Sequence, residues 1–198
     1  GSCVAVASSR CSSTLRAPVA LFDYLRREET SEVRHECVGG EVHAMVGGTL
    51  RHNRIGGNIY RLLSQRLDGT PCQVFMESVK LHVQAADCVY YPDVIVYCGS
   101  SLADDTKVLQ DAALVVEVLS DSTMETDRRE KLAAYRKLPG LRAYWIVSQV
   151  EQRVEVHARD AAGQWRASDC GRGDAIPAAW LNGDDIALVG LYAGTDIG

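Results

Sequence analysis

The sequence predicts an α/β domain built around a mixed β-sheet, and three observations carry that prediction. Strand-like apolar runs recur along most of its length, and one of them, Ala113-Leu114-Val115-Val116-Glu117-Val118-Leu119, is almost wholly aliphatic, as expected of a central strand buried on both faces. Helical signals are confined to a few segments interleaved with those strands. The chain has 198 residues, 46% hydrophobic and 24% charged, enough to bury a real core. That composition excludes collagen, coiled coil and disordered chains.

Each element follows from local pattern. Pro18 opens a short amphipathic helix through Val19–Arg27. Arg34–Val38 and Glu41–Met45, separated by Gly39-Gly40, read as a β-hairpin. A longer helix runs from Leu50 to Leu67 with Ile55, Ile59, Leu62, Leu63 and Leu67 inward, stopped by Asp68-Gly69. Strands are expected at Gln73–Met76, Val79–Val83 and Asp93–Tyr97, then a polar loop over Gly99–Lys107 and the aliphatic strand. Ser122 and Glu125 form a capping box that opens a helix lasting to Pro139-Gly140. Tyr144–Val147, Val154–His157 and Ile186–Leu188 complete the pattern. Residues 1–14 read as a disordered or cloning-derived segment, with Gly1-Ser2 as a vector scar, and residues 15–198 as a single domain.

Seven cysteines without a C-x-x-C pair fit neither a zinc knuckle nor a secreted disulfide framework, so reduced thiols in a cytoplasm are expected. No apolar run approaches the ~18 residues that span a bilayer. The net charge of −5 argues against a non-specific nucleic-acid coat while allowing a local basic groove. Walker A, H-E-x-x-H and G-x-S-x-G motifs are all missing, which removes P-loop hydrolases, helical zinc proteases and serine hydrolases of the elbow type.

Glu117 is the anomaly, because an unpaired carboxylate in an aliphatic strand costs several kcal/mol to bury. It needs an Arg, a Lys or a metal. Asp93 begins another aliphatic strand, and if the two strands are neighbours both carboxylates can share one pocket, a hard oxygen site suited to Mg²⁺ or Mn²⁺. The plain alternatives are a structural ion pair for Glu117 and a turn-to-strand Pro-Asp for Asp93. Lys131 can pair with Asp127 one helical turn earlier, or reach the carboxylates if its helix folds back across the strand ends. His43 and His52 read as structural or rim residues rather than ligands.

These residues resemble a known family. Tyr91-Pro92-Asp93-Val94-Ile95-Val96, then Val115-Val116-Glu117-Val118-Leu119-Ser120-Asp121-Ser122-Thr123, then Asp127-x-x-x-Lys131-x-x-x-Tyr135 are similar to the Uma2 (DUF820) family. So are Arg34-His35-Glu36, Gly40-Glu41, Gly47-Gly48-x-x-x-His52-Asn53 and Val79-Lys80-Leu81, and the likeness spans roughly residues 15 to 195. The resemblance implies a restriction-endonuclease-like PD-(D/E)XK core, with a mixed central β-sheet flanked by helices and preceded by a helix and β-hairpin. It further implies Asp93, Glu117 and the Val118 carbonyl as metal ligands for Mg²⁺ (or Mn²⁺), Lys131 as the catalytic lysine and Glu41 as an additional catalytic acid. Leu119 stands where the superfamily's usual lysine would be. Hydrolysis of DNA phosphodiesters is the implied activity, with Arg51, Arg54, Arg128 and Arg129 as candidate backbone contacts and double-stranded DNA as partner. Two-strand cutting favours a homodimer. A catalytically silent nucleic-acid- or protein-binding module, and cleavage of RNA or another phosphodiester, are the competing readings.

Overall fold

The computed structural model describes residues 17–120 and 124–198; the predicted segment 1–14 and the capping Ser122 lie outside them. The elements run, in chain order, α1 (Leu21–Glu28), β1 (His35–Val38), β2 (Glu41–Ala44), α2 (Leu50–Leu67), β3 (Gln73–Met76), β4 (Lys80–Val83), β5 (Cys88–Tyr90), β6 (Val94–Tyr97), β7 (Val108–Leu109) and β8 (Leu114–Val118). There follow α3 (Met124–Thr126), a π-helical turn (Asp127–Lys131) and α4 (Leu132–Tyr135). β9 (Ala143–Val147), β10 (Val154–Arg159), β11 (Trp165–Cys170), β12 (Ala175–Ile176), β13 (Ile186–Ala187) and α5 (Leu188–Leu191) complete the chain.

Where one mixed sheet was expected, the strands divide between a five-stranded sheet of order β2-β1-β5-β4-β7, a six-stranded sheet of order β11-β10-β9-β8-β6-β3 and a two-stranded ladder of β12 and β13. In the larger sheet β8 and β9 are parallel and all other neighbours antiparallel. A parallel pair needs a crossover, and the α3–π–α4 segment supplies it. The element that carries Lys131 therefore has to leave the end of β8 and run back along the sheet.

β8 is buried along its whole length, as its composition predicts. Leu114, Val116 and Val118 enter one apolar cluster, which α2 covers with Ile55, Ile59, Leu63 and Leu67. Val115 and Leu119 enter a second cluster with Tyr135, Leu138, Leu141 and Tyr144. Glu117, alternating with them, must face this second cluster. The predicted inner face of α2 is otherwise as observed, with Leu62 partly buried on its shoulder, and the Thr49 hydroxyl caps the helix by accepting the His52 N–H at 3.1 Å.

The hairpin forms as expected. Its turn glycines have φ of +55° and +83°, and a Cβ on Gly40 would stand 2.5 Å from the Pro18 Cβ. α1 is fastened beneath it: the Tyr24 hydroxyl donates to the His35 carbonyl at 2.6 Å, and Glu28 accepts the His35 N–H at 2.8 Å and the Tyr91 hydroxyl at 2.9 Å.

Two further expectations are corrected, and the structure adds strands that local pattern did not mark. The continuous helix expected up to Pro139 is interrupted by the π turn at Asp127–Lys131. β5, β7 and β11 carry no strand signal of their own, because β5 and β7 span three and two residues and β11 is an exposed edge strand with a polar sequence. Finally, not all the thiols are reduced. Cys72 and Cys98 flank the paired residues Gln73 and Tyr97 and are joined in a disulfide, while Cys37, Cys88 and Cys170 are buried and free. Among the described residues no helix is long and apolar enough to cross a membrane.

Candidate active site

The strand register assembles the site. Met76 pairs with Val94, and Val94 with Val116. Continuing by one residue sets Glu77, Asp93 and Glu117 in a row across the ends of β3, β6 and β8. The Glu77 N–H donates to the Asp93 carbonyl at 3.3 Å, and Glu77 holds a left-handed φ of +54° with its carboxylate bound by Asn53 Nδ2 at 3.1 Å. Both oxygens of Asp93 are engaged: Oδ2 accepts the Val118 N–H at 2.7 Å, and Oδ1 lies 3.0 Å from His52 Nε2.

Glu117 is answered from the crossover helix. Lys131 Nζ donates to Glu117 Oε1 at 3.2 Å, and the Tyr135 hydroxyl donates to the same oxygen at 2.8 Å. Lys131 also lies 3.1 Å from Glu36 Oε1 and 3.3 Å from Asp127 Oδ1, and 5.3 Å over the face of Tyr90. An ammonium has three donors, and here three carboxylates surround it. The two alternatives for Lys131, pairing with Asp127 and reaching Glu117, are therefore both realised. The π turn brings this about, since Asp127 and Lys131 lie within it and both are buried; such turns recur at functional sites.

The charges of the cluster follow from burial. Lys131 is 4% exposed at its side chain and Glu117 5%. Burial pushes the Glu117 carboxyl well above the ordinary range, against the pull of Lys131, with Asp127, Asp93 and Glu36 adding to the rise. For Lys131 burial works against the charge, yet Glu117, Glu36 and Asp127 outweigh it and hold the ammonium well above its usual value. Tyr135 is pushed well up by burial and by Glu117, so it remains a neutral donor. The hydrogen bond to Asp93 raises His52 against the opposing effect of burial.

The cluster floors an open cleft of about 690 Å³. Glu32, Glu36, Glu77, Asp93, Glu117, Asp127 and Glu130 line it, against the permanent cations Arg34 and Lys131. Oxygen donors in such excess over cations suit a hard divalent ion. Among the described residues no three His, Cys, Asp or Glu side chains already stand in a metal-binding arrangement. Two carboxylates meet here, and both are hydrogen-bonded: Glu117 Oε1 by Lys131 and Tyr135, and Asp93 by Val118 and His52. The donor set of Asp93, Glu117 and the adjacent Val118 carbonyl fits Mg²⁺ or Mn²⁺ in chemistry, with an adjustment of these hydrogen bonds on binding.

Asp93, Glu117, Val118 and Lys131 thus come together, and Glu41 does not. Glu41 pairs with Val38 at the turn end of the hairpin, on a fully exposed strand, and its carboxylate lies 3.7 Å from His43. Glu36, two residues back from Val38 on the inner strand, takes the place next to Lys131. Period-two alternation with Val38 as the inward residue is the signal that could have found it. His52 is nearer the site than a rim residue. The arginines have internal duties: Arg51 binds Asp196 through Nε at 2.8 Å, Arg54 donates to the Gly194 carbonyl, and Arg128 lies 3.4 Å from Glu155. Arg129 is exposed.

Comparison with known proteins agrees with this architecture. A family model described as "Putative restriction endonuclease", Uma2, matches residues 21–186. Two proteins of Synechocystis sp. are similar in sequence: "Uncharacterized protein sll1609", 30% identical over 72% of this chain and 82% of its own, and "Uncharacterized protein slr1290", 32% identical over 72% of this chain and 75% of its own. A crystal structure described as a "putative nuclease belonging to DUF820" from Anabaena variabilis superposes with a TM-score of 0.74 at 16% identity, covering 89% of this chain and 98% of that one. The fold is restriction-endonuclease-like, and with a matched span that takes in the hairpin, the carboxylate strands and the lysine helix, this chain belongs to the Uma2 family.

Proposed function

We propose that this protein is a divalent-metal-dependent endonuclease that hydrolyses DNA phosphodiester bonds. The observation that carries the reading is the meeting of Asp93 and Glu117 at adjacent strand ends with Lys131 delivered onto Glu117 by the crossover helix. Asp93, Glu117 and the Val118 carbonyl would hold Mg²⁺ or Mn²⁺, which when bound supplies Lewis-acid polarisation of the phosphate and a lowered water pKa. Lys131 contributes a fixed positive charge beside the scissile group, where it orients the water or stabilises charge developing on the phosphoryl oxygens. Two of its donors are taken by Glu36 and Glu117 and Asp127 is ion-paired beside them, and Glu36, at 15% side-chain exposure, is the most solvent-accessible of its three carboxylate partners. Release of Glu36 therefore frees an N–H for substrate, and Glu36 takes the auxiliary acidic role first given to Glu41. Tyr135 keeps Glu117 oriented. Arg129 and the cleft-wall Arg34 offer phosphate contacts that position without reading sequence. A homodimer would place two such sites on a duplex.

The test is Mn²⁺ binding by calorimetry for wild type, Asp93→Asn and Glu117→Gln, followed by cleavage of a DNA panel with Mg²⁺ and Mn²⁺. Binding by wild type alone is the expected result. Failure of wild type to bind, with and without DNA, refutes the reading. One observation favours a second reading, a catalytically silent binding module: the cleft carries far more carboxylates than cations and its lysine is ion-paired to three of them. That reading expects DNA affinity that is absent or insensitive to salt, whereas a phosphate-gripping protein loses affinity steeply as salt rises.

A further inference from the structure

The geometry points to His52 as a positioning residue for Asp93, acting from α2 through one hydrogen bond; this rests on the metal-site reading above. Asp93 is the more exposed of the two strand carboxylates, and each of its oxygens has a different support. Oδ2 takes the backbone N–H of Val118, which fixes it to β8. Oδ1 faces His52 Nε2 at 3.0 Å. An ionised carboxylate can only accept, so Nε2 carries the proton and donates. The ring's other nitrogen, Nδ1, is buried and has no hydrogen-bond partner among the described residues. Leaving a buried ring nitrogen unpaired is unfavourable, and among the described residues the imidazole has Asp93 as its side-chain hydrogen-bond partner and no second polar anchor. Asp93 is the group that its orientation serves.

The chain holds the ring in that pose from two sides. His52 lies in the first turn of α2, where its own N–H is bound by the Thr49 cap, and Gly48 packs on the imidazole so closely that a Cβ there would meet Cδ2 at 3.0 Å and Cγ at 3.2 Å. Glycine at 48 therefore leaves the ring the room it occupies beside Asp93, where a larger residue would press on it. With Nε2 committed to the carboxylate, His52 is not itself a metal ligand; it fixes which lone pairs Asp93 presents to the cleft. Outer partners of ligating carboxylates typically govern metal affinity by 10–100-fold.

The experiment is Mn²⁺ titration of the whole protein by calorimetry, comparing wild type with His52→Gln and His52→Leu, each checked for folding by thermal melting. Gln keeps an N–H donor; Leu keeps bulk without one. The expected result is Mn²⁺ affinity about 10–100-fold weaker in His52→Leu, largely restored in His52→Gln. Gln and Leu variants that bind alike overturn the proposal, because a space-filling role would not distinguish them. Should His52→Leu fail to fold, His52→Met, which also keeps bulk without an N–H donor, carries the test: Mn²⁺ binding weaker than in His52→Gln supports the proposal and equal affinity overturns it. A wild type that takes up no Mn²⁺, with the protein folded, instead overturns the metal-site reading and this role with it.

Discussion

Replacing Lys131 with Met removes the ammonium that is ion-paired to Glu36, Glu117 and Asp127. Glu117 and Asp127 are almost fully buried and Glu36 mostly so, and each lies within 3.3 Å of the lysine nitrogen at most. Breaking a buried pair by deleting one partner typically costs about 3–5 kcal/mol, because the stranded charge stays desolvated. With three carboxylates sharing one ammonium, the upper part of that range is expected at pH 8. The pH dependence has a definite sign. Glu117 already sits well above its ordinary value through burial, and loss of Lys131 raises it further. The folded variant then binds a proton that the unfolded chain, titrating near ~4.3, has released. Its stability falls as pH rises from the unfolded value towards the folded one, by up to about 1.4 kcal/mol per pH unit. Urea unfolding at pH 5.5 and pH 8 measures both effects. The variant should be closer to wild type at pH 5.5, and Lys131→Met/Glu117→Gln should regain part of the loss at pH 8. A loss below about 1 kcal/mol at pH 8, the range of an exposed pair, would refute the buried-cluster account.

Further outcomes follow from the same packing. Tyr135→Phe removes a 2.8 Å donor from Glu117 and should cost about 1.5–3 kcal/mol in urea unfolding, the range for a hydrogen bond to a charged group. Cleaving the Cys72–Cys98 bridge, which closes a loop of sequence separation 26, should lower stability by about 3.5 kcal/mol on the chain-entropy account; matched melts of the native protein and the Cys72→Ser/Cys98→Ser variant measure it. Glu36→Gln should leave Mn²⁺ affinity largely intact if Glu36 acts as the releasable partner of Lys131, while Glu41→Gln should change neither affinity nor stability measurably, since its side chain is 80% exposed beside His43.

Much of the fold was readable from local pattern. The inner face of α2, the hairpin with its Gly39-Gly40 turn, and the doubly buried β8 follow from periodicity and turn chemistry, which depend on neighbours a few residues away. Glu117 stood out for the same reason, as a carboxylate where a strand should be apolar, while Asp93, at the head of its strand, also fitted a plain turn-to-strand Pro-Asp. Tertiary structure decided everything that depends on which strands lie side by side. The antiparallel pairing of β6 and β8 sets Asp93 level with Glu117, and the pairing of β3 with β6 brings Cys72 against Cys98 across 26 residues of sequence. Glu36 entered the site and Glu41 did not because one lies on the inner strand of the hairpin and the other at its outer turn, a difference of position that both sequences of alternating residues permit. Lys131 reached Glu117 because parallel β8 and β9 force the intervening helix back across the sheet, and its π turn rotates Asp127 and Lys131 inward. Sequence determines which charges are costly to bury; the crossing of strands and helix determines which opposite charge or hydrogen bond meets each one.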